Sequence, residues 1–303
     1  MRTTLILLLL LSSLSGFTFA QEKPIRSYGF RTGTLKTLPT KADVFQVVPH
    51  LSANNQWRSE ITIRNNSAFP TIVTLDFFGE DGLAAVVKFD DSDGNAFQEQ
   101  GFVANIQGLE VFSMFFESVQ DLNSFHIYAF ADENNSDYTI EALYHLFSGT
   151  TKLATVGVAI QEPGTNPVMN LDNRFDLDSG KQRFRGLAVT NFLDTDCECD
   201  IWVYDDGFNG ANAAEGPFNI GVLQLPPSGK WLGTTDDLIP DIDIYLPRDF
   251  GFVELNCDNP VSVLGLTFEN GSSTVGSVPV TYGTLNPFNL TKREKPIKKA
   301  QEN

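Results

Sequence analysis

Residues 57–78, WRSEITIRNNSAFPTIVTLDFF, fall on residues 183–204, RFRGLAVTNFLDTDCECDIWVY, when the chain is slid along itself by 126 positions without a gap. Ile61 meets Leu187, Ile63 meets Val189, and Asn65 meets Asn191. Beyond a small polar turn, Val73, Leu75, Phe77 and Phe78 meet Cys199, Ile201, Val203 and Tyr204. Apolar residues recur at every second position after the turn, the period of a strand with one buried face. Each copy therefore reads as strand, turn, strand. Val73, Leu75 and Phe77 face inward in the first copy, and Cys199, Ile201 and Val203 in the second. Thr74, Asp76, Asp200, Trp202 and Tyr204 occupy the opposite faces. Both copies then turn at Asp-Gly, Asp81-Gly82 and Asp206-Gly207.

The same offset returns downstream. Ile127, Ala129 and Ala131 meet Val253, Leu255 and Cys257. After a turn three residues shorter in the second copy, Ile140, Ala142 and Leu143 meet Val263, Gly265 and Leu266. Each copy closes on Thr-Val-Gly, at 155–157 and 274–276. Separated segments that agree in order, polarity and turn position point to an internal duplication. Asp81-Gly82, Asp93-Gly94, Asn209-Gly210 and Asn270-Gly271 punctuate a chain without sustained helical periodicity, and its 25 Phe residues call for burial. The expectation is an all-β protein of two tandem antiparallel β-sandwich domains, each of about seven strands. A barrel is the second choice. The segments are a signal peptide (1–20), an N-terminal extension (21–42), a first sandwich (43–160), a linker carrying Pro163, Gly164 and Pro167 (161–172), a second sandwich (173–283) and a basic tail (284–303).

The layout WRSEITIRNNSAFPTIVTLDFFGEDG, followed by a hairpin and TVG, resembles the tandem immunoglobulin-like modules of secreted bacterial proteins of unassigned function. LQLPPSGKW at 223–231 is similar to the Pro-Pro-Gly-type turn of those modules, whereas the first copy has IQGLEV at 106–111. The likeness spans roughly residues 43–283 and rests on structural motifs. It implies an immunoglobulin-like fold and a secreted address, not an activity.

The N-terminus carries its own address. Arg2 precedes an unbroken apolar run from Leu5 to Leu11, and Thr18-Phe19-Ala20 places small residues at the two positions a signal peptidase inspects. The run is too short for a membrane span, and no other stretch reaches the ~20 apolar residues one requires. Gln21, not Cys, follows the expected cut, so a lipid anchor has no support. Residues 43–291 hold ten Lys/Arg against thirty-five Asp/Glu, a balance of −25, with the remaining cations in the flanks. An acidic body repels phosphate backbones, which excludes nucleic acid as a partner of the folded part.

Three cysteines are an odd number for an exported chain. Cys197 and Cys199 alternate on one strand and share a face with Cys257, so a disulfide between Cys199 and Cys257 is expected, with Cys197 as the other candidate partner. A metal site built on Cys-Glu-Cys is the sharper but less favoured alternative, since no His adjoins it. His126 and His145, placed on opposite arms of a hairpin around Asn134-Asn135, read as cross-strand neighbours in preference to a metal pair completed by Glu141. Asp90-Asp91-Ser92-Asp93-Gly94-Asn95 lacks the ligand spacing of a calcium loop and reads as a solubilising turn. No Gly-x-Ser-x-Gly elbow, paired-His zinc motif or phosphate-binding glycine loop occurs. No catalytic, metal or cofactor residue is assigned. Trp202 and Tyr204, alternating on an outward face, are the candidate ligand contacts. The favoured function is a secreted, cell-surface or periplasmic non-enzymatic protein that binds a protein, a glycan or a second copy of itself. The alternatives are an extracellular metal- or carboxylate-dependent hydrolase and a purely structural spacer.

Overall fold

The computed structural model describes residues 44–117, 124–131, 137–160, 162–172, 175–176, 181–205, 217–246, 250–269 and 275–283. The expected signal peptide, N-terminal extension and basic tail lie outside the described residues, as do the Asp206-Gly207 loop and the Asn134-Asn135 turn.

The described chain is all-β and antiparallel. Its N-terminal half contains β1 (Val44–Ser52), β2 (Trp57–Asn65), β3 (Thr71–Phe78), β4 (Val87–Asp91), β5 (Ala96–Glu99), β6 (Gly101–Ile106), β7 (Val111–Phe116), β8 (Ser124–Ala131), β9 (Tyr138–Ser148) and β10 (Thr151–Ala159). Its C-terminal half contains β11 (Pro167–Asp172), β12 (Phe175–Asp176), β13 (Lys181–Asn191), β14 (Cys197–Asp205), β15 (Phe218–Leu225) and β16 (Lys230–Thr234). Two helical turns follow, α1 (Thr235–Leu238) and α2 (Ile242–Tyr245), and then β17 (Phe250–Cys257), β18 (Val261–Glu269), β19 (Val275–Val278) and β20 (Val280–Tyr282).

In the N-terminal half the sheet β1-β8-β3-β6 packs on the sheet β10-β9-β2-β7-β4-β5. Alternation does the sorting. Val73, Leu75 and Phe77 are fully buried and meet Ile61, Ile63, Phe112, Met114 and Phe116 from the opposite sheet. Much of the phenylalanine content is spent here: Phe89 makes edge-to-face contacts with Phe77 and Phe102, with ring centroids 5.7 and 5.2 Å apart. The C-terminal half repeats the plan with β15-β14-β17-β11-β20 against β12-β13-β18-β19, and β16 also pairs with β13. Cys199, Ile201, Val203, Leu187 and Val189 form its core together with Leu238, Ile239 and Ile242 from the α1–α2 segment.

Strand registers in the two halves correspond. Val73↔Ala131, Leu75↔Ala129 and Phe77↔Ile127 in β3–β8 become Cys199↔Cys257, Ile201↔Leu255 and Val203↔Val253 in β14–β17. Ile63 pairs with Ile140 and Phe112, and Val189 with Val263 and Trp231. Asn65 and Asn191, both fully buried, do the same local work. Asn65 Nδ2 donates to the carbonyls of Phe69 and Gln107 at 2.8 and 3.0 Å, and its Oδ1 accepts from Ser67 N–H. Asn191 Nδ2 donates to those of Thr195 and Pro226 at 2.7 and 3.0 Å, and its Oδ1 accepts from Leu193 N–H. Each Asn ties two neighbouring turns into one tip.

Three features differ from the sequence reading. β8 and β9 are not arms of one hairpin; they lie in different sheets, so His126 and His145 are not cross-strand neighbours. Residues 167–172 of the expected linker form β11, which pairs on both sides with β17 and β20. Pro167 is tolerated because it is the strand's first residue, where a missing N–H removes no interior ladder bond. Finally, β1 lies beside β8 and β9 beside β2, whereas an immunoglobulin constant-type order puts the first strand beside the second and the last beside the sixth.

Candidate functional site

The two halves meet through a buried seam in which the tip of the C-terminal half sits on the outer face of β1, β3 and β8. A small apolar cluster forms its floor: Val47, Phe78 and Tyr128 are buried and pack with Phe130 and Phe192. Ala188, Leu264 and Leu266 of the C-terminal half also join the core of the N-terminal half. The seam is polar where the turns touch. Tyr128 O–H donates to the Asn191 carbonyl at 3.0 Å, Thr190 O–H to the Pro49 carbonyl at 2.8 Å, and the Lys230 amide to the Glu80 carbonyl at 3.0 Å. Gly82 lies against the Pro227-Ser228 turn. A Cβ at this residue, whose φ is +79°, would fall 2.1 Å from the Pro227 carbonyl oxygen.

Five titratable groups converge here. His126, fully buried and stacked on Phe78, approaches the Ser228 carbonyl with Nε2 at 2.9 Å, a contact that places the proton on Nε2. Its Nδ1 has no hydrogen-bond partner among the described residues. His50 stacks on Tyr144, whose hydroxyl donates to the His50 carbonyl, and its Nδ1 lies 3.3 Å from Ser124 Oγ and 3.5 Å from Lys230 Nζ. Lys230 is only 7 % exposed and donates from Nζ to the Phe125 carbonyl at 3.0 Å. Burial pulls its ammonium down to about 7, against the opposing attraction of Glu80. Burial, reinforced by the nearby Lys230 charge, also holds both imidazoles well below their ordinary value, and burial raises the Tyr128 and Tyr144 phenols. The seam is therefore built for neutral side chains that donate to backbone carbonyls.

The expected disulfide is present between Cys199 and Cys257, which are direct register partners on β14 and β17. Cys197 is a buried free thiol 3.9 Å from Cys199 Sγ, and burial pushes it up to about 11. With two of the three sulfurs bonded to each other, the Cys-Glu-Cys metal alternative has no three-thiolate set in this state. Trp202 and Tyr204 lie half-buried on the outer face of β14, where Tyr204 O–H donates to Glu254 at 2.6 Å and a register shift in β15 falls beside Trp202. His145 sits on β9, in the sheet opposite β1, β3 and β8, with Thr155 Oγ1 at 2.9 Å and Glu60 at 3.5 Å. In the acidic turn, the Asp91 carboxylate closes the loop on the Asp93 and Asn95 amides at 2.9 Å. A cleft of about 170 Å³ between β10 and β18–β19 is lined by Val158, Val263, Leu264 and residues 277–280, without a titratable group.

Sequence reasoning missed the seam, and Lys230 above all. Its signal was a single cation beside Trp231 in PPSGKW, in a body otherwise rich in acids, with no carboxylate at a neighbouring position. Among the described residues, no helix is long and apolar enough to cross a membrane. No protein-family model, curated protein or solved structure matched the chain.

Proposed function

We propose that this is an exported, non-enzymatic protein of two duplicated β-sandwich modules, immunoglobulin-like in their layered build though not in strand order, locked into one rigid body that presents outer faces and tip loops to a partner at the cell envelope. The observation that carries the reading is the use made of His50, His126 and Lys230. His50 and His126 are two of the three histidines a hydrolytic reading could draw on, and with Lys230 they are taken up by the seam, where His126 and Lys230 are buried and His50 half-buried, bonding or packing one half against the other; the third, His145, is held on β9 by Thr155 and Glu60. A rigid pair of sandwiches fixes the spacing and orientation of its exposed loops, which lowers the ordering cost of engaging an extended partner. The corresponding registers of β3–β8 and β14–β17 support duplication, and the Cys199–Cys257 bridge suits an oxidising compartment.

The test is a binding screen of the chain lacking residues 1–20 against arrayed glycans, envelope preparations and immobilised copies of itself, run beside a polymer-hydrolysis assay. Saturable binding to one of these, with no turnover, is the expected outcome. Turnover abolished by His126→Ala or His145→Ala would favour the hydrolase, and silence in every arm would favour the spacer.

A further inference from the structure

We propose that Cys197, Cys199 and Cys257 form, in the reduced chain, a three-thiolate site for a thiophilic divalent cation of the zinc and cadmium class. The bound ion and the Cys199–Cys257 bridge are then alternative staples between β14 and β17.

The disulfide accounts for two sulfurs and leaves the third unexplained. Cys197 is a buried thiol whose Sγ lies 3.9 Å from that of Cys199, and all three sulfurs fall within 4.8 Å of one another. A divalent ion with metal–sulfur bonds of about 2.3 Å holds its thiolates about 3.8–4.0 Å apart. Cys197 already stands at that spacing from Cys199. Opening the bridge frees the Cys199 and Cys257 side chains to change rotamer and reach it too. Packing alone does not demand sulfur here. The N-terminal half fills the corresponding positions with Thr71, Val73 and Ala131, all buried, and pairs Val73 with Ala131 as Cys199 pairs with Cys257.

The cluster has a polar side and an approach from solvent. Cys197 opens β14 and Cys257 closes β17, so the sulfurs sit at the end of the sheet. The Cys197 thiol donates to the Asp258 carboxylate, which also accepts from the Glu198 amide at 3.0 Å. Burial keeps this thiol protonated until a cation compensates the thiolate charge, and Asp258 is placed to take the proton that the cation displaces. Asp194, Asp196, Glu198 and Asp258 are exposed beside the cysteines and draw cations toward them. Sulfur donors select a soft or borderline ion over calcium and magnesium, which take oxygen ligands. Three thiolates around a divalent ion leave one negative charge, and the strand-end position keeps it near water.

Binding is an exchange in which three S–H groups lose their protons to solvent as three metal–sulfur bonds form. A disulfide-bearing oxidant ends it. Cys199 and Cys257 pass two electrons to the oxidant, which becomes a dithiol, and the ion, left with one protein thiolate, departs.

Anaerobic titration of the fully reduced chain lacking residues 1–20 with cadmium chloride tests the site. Thiolate-to-cadmium charge transfer in the ultraviolet should saturate at about one ion per chain, with about three protons released per ion at pH 7. The ion should also raise the urea midpoint of the reduced chain toward that of the disulfide form. Asp258→Asn should weaken binding about tenfold, and Cys197→Ser by more than about 100-fold. The oxidised chain should show no saturating band, because its bridge occupies two of the ligands. If the reduced chain unfolds without metal, cadmium should restore its native near-ultraviolet dichroism at the same stoichiometry. Cadmium held as tightly by Cys197→Ser as by wild type, an equal band from the oxidised chain, or a reduced, unfolded chain that cadmium does not refold overturns the proposal.

Discussion

Replacing Lys230 by Met should reverse its effect on stability between acid and alkaline conditions. In the folded chain the Lys230 ammonium titrates near 7, against 10.5 for a solvated lysine. Between those values the unfolded chain holds a proton the folded chain has released, so stability rises with pH, by up to about 1.4 kcal/mol per unit. Across the window this amounts to about 5 kcal/mol, an order-of-magnitude ceiling. Below pH 7 both states carry the proton, and the burial cost is present in full. Met has a similar stem and no charge, but it leaves the Phe125 carbonyl without the Nζ donor, a loss of about 1–3 kcal/mol. Lys230→Met should therefore be more stable than wild type by about 2–4 kcal/mol at pH 6 and less stable by about 1–3 kcal/mol at pH 10. Urea unfolding followed by the fluorescence of Trp57, Trp202 and Trp231 reads both ends. Parallel stability curves for the two proteins, with no crossing between pH 6 and 10, would refute the assignment of a depressed, buried lysine to the seam.

Gly82→Ala should cost about 2–4 kcal/mol, combining left-handed strain with displacement of the Pro227-Ser228 turn, whereas Gly94→Ala should cost only the strain. Gly94 has a similar φ of +82° but nothing within 4 Å of its Cβ position, so urea midpoints of the two variants should separate clearly. Cys257→Ser should lower stability by about 4 kcal/mol, because the bridge closes residues 58 apart. Under non-reducing conditions its denaturation midpoint should match that of the reduced wild type. His50 and His126 are held well below 6.5, so the unfolded chain takes up protons first as pH falls. Stability should drop below pH 6.5 by up to about 1.4 kcal/mol per pH unit for each imidazole. His126→Gln, which keeps a donor for the Ser228 carbonyl, should reduce that slope between pH 6.5 and 5.

Much of the sandwich layout was legible because period two is a local property. The inward sets Val73-Leu75-Phe77 and Cys199-Ile201-Val203 follow from alternation, and their shared offset predicts the correspondence of β3–β8 with β14–β17 that the registers display. The disulfide was legible for the same reason, since alternation put Cys199 and Cys257 on inward positions of matching strands. Sheet membership was not. A short turn between two apolar runs reads as a hairpin, yet β8 and β9 cross between sheets, a choice set by how the sheets pack. Pro163 and Pro167 read as a linker because proline usually interrupts strands, and a proline at a strand's first residue carries no separate local signal. The seam lay further out of reach. The lone cation beside Trp231 is too weak a signal to tell a buried amine from a solvated one, because its partners, the Phe125 and Glu80 carbonyls, are backbone atoms distant in the chain. Asn65 and Asn191 align in the repeat, but only the folded turns reveal them as the clamps that shape each tip.

The most direct measurement of the locked two-half body is hydrogen exchange at the Lys230 amide, whose proton is donated across the seam to the Glu80 carbonyl. The account predicts protection as strong as that of the core amides of β14 and β17, lost only on global unfolding. Rapid exchange at Lys230 while those core amides stay protected would mean that the halves part freely in solution, and would contradict it.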